Sequence, residues 1–103
     1  MRVNEVLEFL DSIKEPLYCI SDVLDALETI IEPKIVAEDL DIDRHSWYTI
    51  STTVIMVDDG FIGIFGVCDI RTKYGNVEDI GIESGWCEFE AVPSITYRVK
   101  AIN

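Results

Sequence analysis

The chain has 103 residues, 49% of them hydrophobic and ten aromatic, with eight basic against twenty acidic side chains and a formal net charge of −12. That length and apolar content suit one domain with a real core and exclude a disordered acidic tail. Its basic residues (Arg2, Lys14, Lys34, Arg44, Arg71, Lys73, Arg98 and Lys100) are scattered, so direct binding to nucleic acid or to an anionic membrane is disfavoured.

Residues 1–14 form the first expected element. Val3, Val6, Leu7, Leu10 and Ile13 follow the three-four rhythm of a helix facing a core, and Pro16 disfavours helical geometry at Glu15, which places the helix end near Lys14. Ser21 reads as the N-cap of a second helix, with Asp22 and Asp25 near its positive end. Val23, Leu24, Leu27, Ile30 and Ile31 are its apolar stripe, and Pro33 its stop.

Residues 34–45 read as a connector in which Leu40-Asp41-Ile42-Asp43 alternates as a short edge strand would. The β-branched and aromatic density of 47–57 predicts a long strand; Asp58-Asp59-Gly60 a hairpin turn with Gly60 available for positive φ; and 61–68 the return strand. Gly63 and Gly66 in that strand point to a bulge or to a closely approaching helix. Residues 69–85, rich in glycine and acids, read as a long irregular loop with a short strand near 77–82. Residues 86–92 alternate, Trp86, Glu88 and Glu90 on one side and Cys87, Phe89 and Ala91 on the other. Pro93-Ser94 makes a turn, and 95–100 is a last strand with Ile95, Tyr97 and Val99 facing the core. The expected fold class is α+β: two N-terminal amphipathic helices packed on an antiparallel meander of about four strands, in a single domain over 1–103. Within it, 1–43 is the acidic helical part with its connector and 44–103 the β part.

Charge is unevenly divided between those parts. Residues 1–43 carry twelve acids against three bases, a net −9, and residues 44–103 eight against five, a net −3. On the two helical stretches the acids recur at one spacing: Glu5, Glu8, Asp11, Glu15, then Asp22, Asp25, Glu28, Glu32. At 100° per residue each set stays within an arc of roughly 120°, with neighbouring acids about 5–6 Å apart, similar to successive phosphates along a nucleic-acid strand. Any amphipathic helix has a solvated face, and acids are common there. What points beyond solvation is the lack of compensating lysines at i+4: Lys14 is the one base within either span.

Other constellations carry less. Asp39-x-Asp41-x-Asp43 opens like a calcium loop, but Arg44 stands where a glycine is required and Ile50 where a bidentate Glu is required, so a solvated acidic connector is expected. Cys19, Cys68 and Cys87 are odd in number and fit no zinc spacing, and His45 is the sole histidine; reduced, buried thiols and no catalytic pair are expected. No phosphate loop, nucleophile elbow or zincin motif occurs, and no cofactor or metal is implied. Residues 1–5 do not open a signal peptide and no apolar run approaches about 20 residues, so a cytoplasmic protein is expected. Among the large aromatics, Trp47 and Trp86 read as core or rim residues, whereas Tyr74, in Lys73-Tyr74-Gly75-Asn76, reads as an interface anchor.

Arg44-His45-Ser46-Trp47-Tyr48, Val57-Asp58-Asp59-Gly60-Phe61-Ile62-Gly63, Glu78-Asp79-Ile80-Gly81 and Val92-Pro93-Ser94-Ile95-Thr96-Tyr97 resemble segments of small acidic proteins encoded by phages and mobile elements. The resemblance spans roughly 44–98, omits the helices and includes no catalytic motif. Such proteins include anti-CRISPR inhibitors, several of which compete with nucleic acid through negative charge, so the resemblance implies an inhibitor. The functional expectation is a non-enzymatic protein that binds a basic protein surface, such as a nuclease's nucleic-acid channel, through Glu5, Glu8, Asp11, Glu15, Asp22, Asp25, Glu28, Glu32 and Tyr74. The alternative is an assembly module that forms homo-oligomers through a sheet edge, with no nucleic-acid mimicry.

Overall fold

The computed structural model describes residues 1–45, 47–68, 70, 81–92 and 96–100, without the side chains of Val92, Thr96 and Arg98. Two helices, α1 (Val3–Asp11) and α2 (Ile20–Leu27), precede five strands: β1 (Lys34–Arg44), β2 (Thr49–Val57), β3 (Gly60–Cys68), β4 (Gly85–Val92) and β5 (Thr96–Val99). The strands form one antiparallel sheet in chain order, with both helices on one face. This is the expected α+β meander. Tyr74, the Pro93-Ser94 turn, Ile95 and most of loop 69–85 lie outside the described residues.

The apolar rhythm of 1–14 becomes a buried stripe of Val3, Val6 and Leu10. They meet Val23 and Leu27 of α2 and Ile55, Ile62 and Ile64 of the sheet in one cluster, each no more than 3% exposed. Both helices end earlier than the prolines suggest. At Ser12 the hydroxyl donates to the Phe9 carbonyl at 2.6 Å, and at Thr29 the hydroxyl donates to the Ala26 carbonyl at 2.7 Å; such back-bonds satisfy terminal carbonyls and compete with helical continuation. The N-cap of α2 is Cys19, in extended conformation, so Ser21 sits inside the first turn.

The β2–β3 hairpin turns through Asp58-Asp59 alone, with Val57 opposite Gly60. Gly60 needs no positive φ: among the described residues only Asp39 (φ 56°) and Gly81 (φ 75°) have one. The glycines of β3 serve close approach. A Cβ on Gly60 would lie 3.2 Å from Val3 Cγ2, one on Gly66 2.8 Å from Ser84 Oγ and 3.3 Å from Ile20 Cγ1, and one on Gly63 2.3 Å from Phe89 Cε1. The β2–β3 register runs unbroken past both Gly63 and Gly66, so the approaching helix and an approaching ring account for them, not a bulge.

The connector expected over 34–45 is corrected to an eleven-residue strand, which makes the meander five-stranded. It escaped the alternation test because its pairing with β2 is interrupted three times, between Ile35 and Ala37, Ala37 and Leu40, and Asp41 and Asp43. Each extra residue flips the face that follows, and each increases the local twist. Asp39 takes its left-handed conformation in the middle irregularity, which short polar side chains tolerate.

Candidate functional site: the acidic helical layer

Glu5, Glu8, Asp11, Glu15, Asp22, Asp25, Glu28 and Glu32 are all exposed. Because the apolar stripes of α1 and α2 bury themselves against β3 and β4, the acids on the outer faces of the helices point away from the sheet, except Asp11, which reaches Trp86 of β4. The early helix ends correct the expected geometry: Glu5, Glu8 and Asp11 ride on α1 and Asp22 and Asp25 on α2, while Glu28 is the C-cap of α2 and Glu15 and Glu32 follow the helices. The structure brings together shorter helical rows with flanking acids, not two faces of four.

Two of the eight have structural work. Glu5 Oε1 accepts the Arg2 backbone N–H at 3.0 Å, half of a capping box, and Asp11 Oδ1 accepts the Trp86 indole N–H at 2.8 Å. That bond ties α1 to β4 and explains how Trp86, half-buried against the core, satisfies its one donor. Among the described residues none of the eight acids has a Lys or Arg partner within 4.0 Å; the described cations Arg2 and Lys100 pair instead with Asp59 and Glu88.

Helix polarity makes the arrangement costly. Neither helix has a basic residue in its last turn, and Asp11, Asp25 and Glu28 stand at the negative ends of their dipoles. An acid there is unfavourable by about 0.3–1 kcal/mol at low salt.

The hairpin turn carries a different pair of acids, which bind the chain's own start. Asp59 Oδ1 accepts the Val3 N–H at 2.7 Å and Asp59 Oδ2 the Arg2 Nε–H at 3.3 Å, while Asp58 Oδ2 pairs with the Met1 ammonium at 2.9 Å. Asp59 is thus the cap of α1, supplied from 56 residues away. The Val3 N–H, reinforced by Arg2, holds the Asp59 carboxyl below its usual range, and the hydrogen bond to Asp58 raises the terminal amine.

Trp47 corrects the sequence reading: it is 64% exposed at the β1–β2 hairpin, beside His45, which stacks on Tyr48 at 4.4 Å and reaches Asp43 with Nε2 at 2.9 Å. Its exposure was not legible, because a tryptophan at a strand entrance looks the same in sequence whether it packs or not. Glu38, Asp39, Asp41 and Asp43 are likewise exposed along β1, and only the short alternation from Leu40 hinted that they sit on an edge. Asp39, Asp41 and Asp43 are spread along β1, with Asp39 in its left-handed irregularity, and among the described residues no three His, Cys, Asp or Glu side chains converge as a metal site requires. Cys19, Cys68 and Cys87 are half-buried thiols; Cys68 Sγ lies 2.8 Å from Ser51 Oγ, and burial pushes the Cys87 thiol up, away from an activated thiolate.

No protein family, curated protein or solved structure matches this chain. No helix among the described residues is long and apolar enough to cross a membrane.

Proposed function

We propose that this is a non-enzymatic, cytoplasmic acidic binding protein that docks its helical layer on a basic protein surface. In its most concrete form the partner surface is the nucleic-acid channel of a host defence nuclease, and the protein is a phage- or mobile-element-encoded inhibitor of the anti-CRISPR kind. One observation carries this reading. Glu8, Asp22, Asp25 and Glu28 are exposed, have no Lys or Arg partner among the described residues, and include acids at a helix end where the dipole opposes them. A helix whose acids served only solvation gains nothing from that placement, whereas a basic surface complements both the side chains and the carbonyl ends.

The assembly alternative finds a poor template in β1. That edge is bulged three times and lined with exposed Glu38, Asp39, Asp41 and Asp43, features that oppose edge-to-edge pairing.

The test separates acids with internal duties from those without. The quadruple variant Glu8→Gln, Asp22→Asn, Asp25→Asn, Glu28→Gln spares the Glu5 cap and the Asp11–Trp86 bond. Capture of the partner from host lysate at low and high salt should weaken at least tenfold in this variant, with a flatter salt dependence, and nucleic acid should compete for the same partner surface. Capture equal to that of the unaltered chain at both salt levels overturns the proposal.

A further inference from the structure

Two cavities differ in their chemistry. On the sheet face opposite the helices, Leu40 and Ile42 of edge strand β1 and Tyr97 and Val99 of edge strand β5 line a recess of about 280 Å³, together with Thr52 and Phe89. The three irregularities in β1 supply the coiling that brings both edges to it. Its lining is mostly apolar and selects no occupant. The second cavity, of about 260 Å³, lies where the segment after α2 meets the start of the chain and the β2–β3 turn. Met1, Ile31, Met56 and Val57 give it aliphatic and thioether surface, and Glu32 and Asp58 give it two carboxylates. Both acids are exposed, Asp58 with 74% of its side chain in solvent.

We infer that this second cavity takes one long cationic side chain of the partner protein, an arginine or a lysine, whose aliphatic stem lies on Met1, Ile31 and Met56 while its charged head meets Glu32. The inference rests on the basic-partner reading for the source of that side chain. Size sets the scale: ligand pockets begin at roughly 300 Å³, so a smaller cavity suits one side chain better than a whole ligand. The lining sets the stem. Met1 and Met56 are 38% and 37% exposed around one cavity, and Lys and Arg cover such surface with their methylenes while the head stays in water. Charge sets the sign: the Met1 ammonium, 2.9 Å from Asp58 Oδ2, is one cation against two carboxylates, which leaves the cavity at −1. Glu32 has no Lys or Arg partner among the described residues; Lys34, opposite Met56 in the sheet, is outside the lining.

The experiment titrates the ¹⁵N-labelled full chain with n-butylguanidinium, guanidinium, n-butanol and pentanoate, following the amides of Ile31, Glu32, Met56, Val57 and Asp58. Butylguanidinium should shift these resonances saturably and bind at least fivefold more tightly than guanidinium or butanol, since stem and head both contribute. Pentanoate should not saturate. In Glu32→Gln the affinity for butylguanidinium should fall about threefold, the scale of an exposed ion pair, while that for butanol is unchanged. Glu32→Gln should keep the urea midpoint of the unaltered chain, which leaves a folded protein in the comparison. It should also lower capture of the partner about threefold. Absence of saturable shifts with butylguanidinium, or guanidinium or butanol binding as tightly, overturns the inference. Capture lost in the quadruple variant but undiminished in Glu32→Gln overturns it too and leaves the helical-layer reading standing. Full capture by the quadruple variant, which keeps Glu32, with loss in Glu32→Gln supports the cavity and overturns that reading.

Discussion

The two faces of the sheet are closed by different means. On one, α1 and α2 bring Val6, Leu10, Val23 and Leu27 onto Ile55, Ile62 and Ile64, all at 0% exposure. On the other, the sheet covers itself: the Phe89 ring lies over Gly63 and the Phe65 ring over Gly85, so that a Cβ on either glycine would fall 2.3 or 2.2 Å from ring carbon. Helices seal a face almost completely because their side chains interdigitate with it; rings laid over glycines seal only the strands they cross, and the rest of that face is a recess. The helical solution also creates an outward surface, which in this chain is acidic. The self-covered face presents cavity lining instead.

The largest effect that tests this contrast comes from truncating each face in turn. Leu10→Ala should cost about 3 kcal/mol in urea unfolding, the sum of lost transfer and a cavity that helices cannot collapse around, whereas Val99→Ala, at the wall of an existing recess, should cost about 1 kcal/mol. Equal losses would mean that the two faces are packed alike. A somewhat smaller effect is expected at the ring-over-glycine contact. Gly63→Ala should destabilise by about 2 kcal/mol, and Phe89→Leu should relieve much of it, so that the double-mutant cycle shows coupling; simple additivity would place the ring elsewhere.

Smaller again is the pH signature of the hairpin cap. Asp59 has a depressed folded pKa, so its contribution is present at neutral pH and disappears as pH falls below the ordinary carboxylate range and through the lowered value. The Met1 amine has a raised folded pKa, so its contribution is complete below the ordinary range of a terminal amine and disappears as pH rises through the raised value. Thermal melts across pH should therefore show Asp59→Asn losing stability at neutral pH and converging with the unaltered chain in acid, while Asp58→Asn converges with it in alkali. Parallel curves would dissolve the assignment. Least affected in stability are the unpartnered helical acids: Glu8→Gln and Asp25→Asn should each move the urea midpoint by the equivalent of less than about 0.5 kcal/mol, with Asp25→Asn on the stabilising side because it relieves the helix end. A large loss at either would show a structural role and weaken the binding reading.

Periodicity in sequence reports one-dimensional repeats, and the elements it found are those whose pairing is regular. The stripe from Val3 to Leu10 and the β2–β3 hairpin, with its unbroken register, were legible for that reason. Strand β1 was not, since three register shifts erase a period of two. Of the candidate site, the exposure of Glu5, Glu8, Asp11, Asp22 and Asp25 followed from helix amphipathicity, whereas Glu15, Glu28 and Glu32 are exposed at or beyond the helix ends. The assignment of Glu5 to a cap and of Asp11 to the Trp86 indole did not, because each depends on where a donor lies in space.

By itself the sequence determined a −12 chain with two amphipathic helices ahead of an antiparallel meander, and a charge imbalance between its halves. Those properties follow from local spacing and from counting. Only the tertiary structure decided which acids are committed internally, that Asp59 caps α1 across the chain, that Trp47 stands in solvent, and that both sheet edges line one recess. Each of these depends on long-range pairing, and the coil of β1 that sets the recess is the summed effect of irregularities with no pattern in sequence.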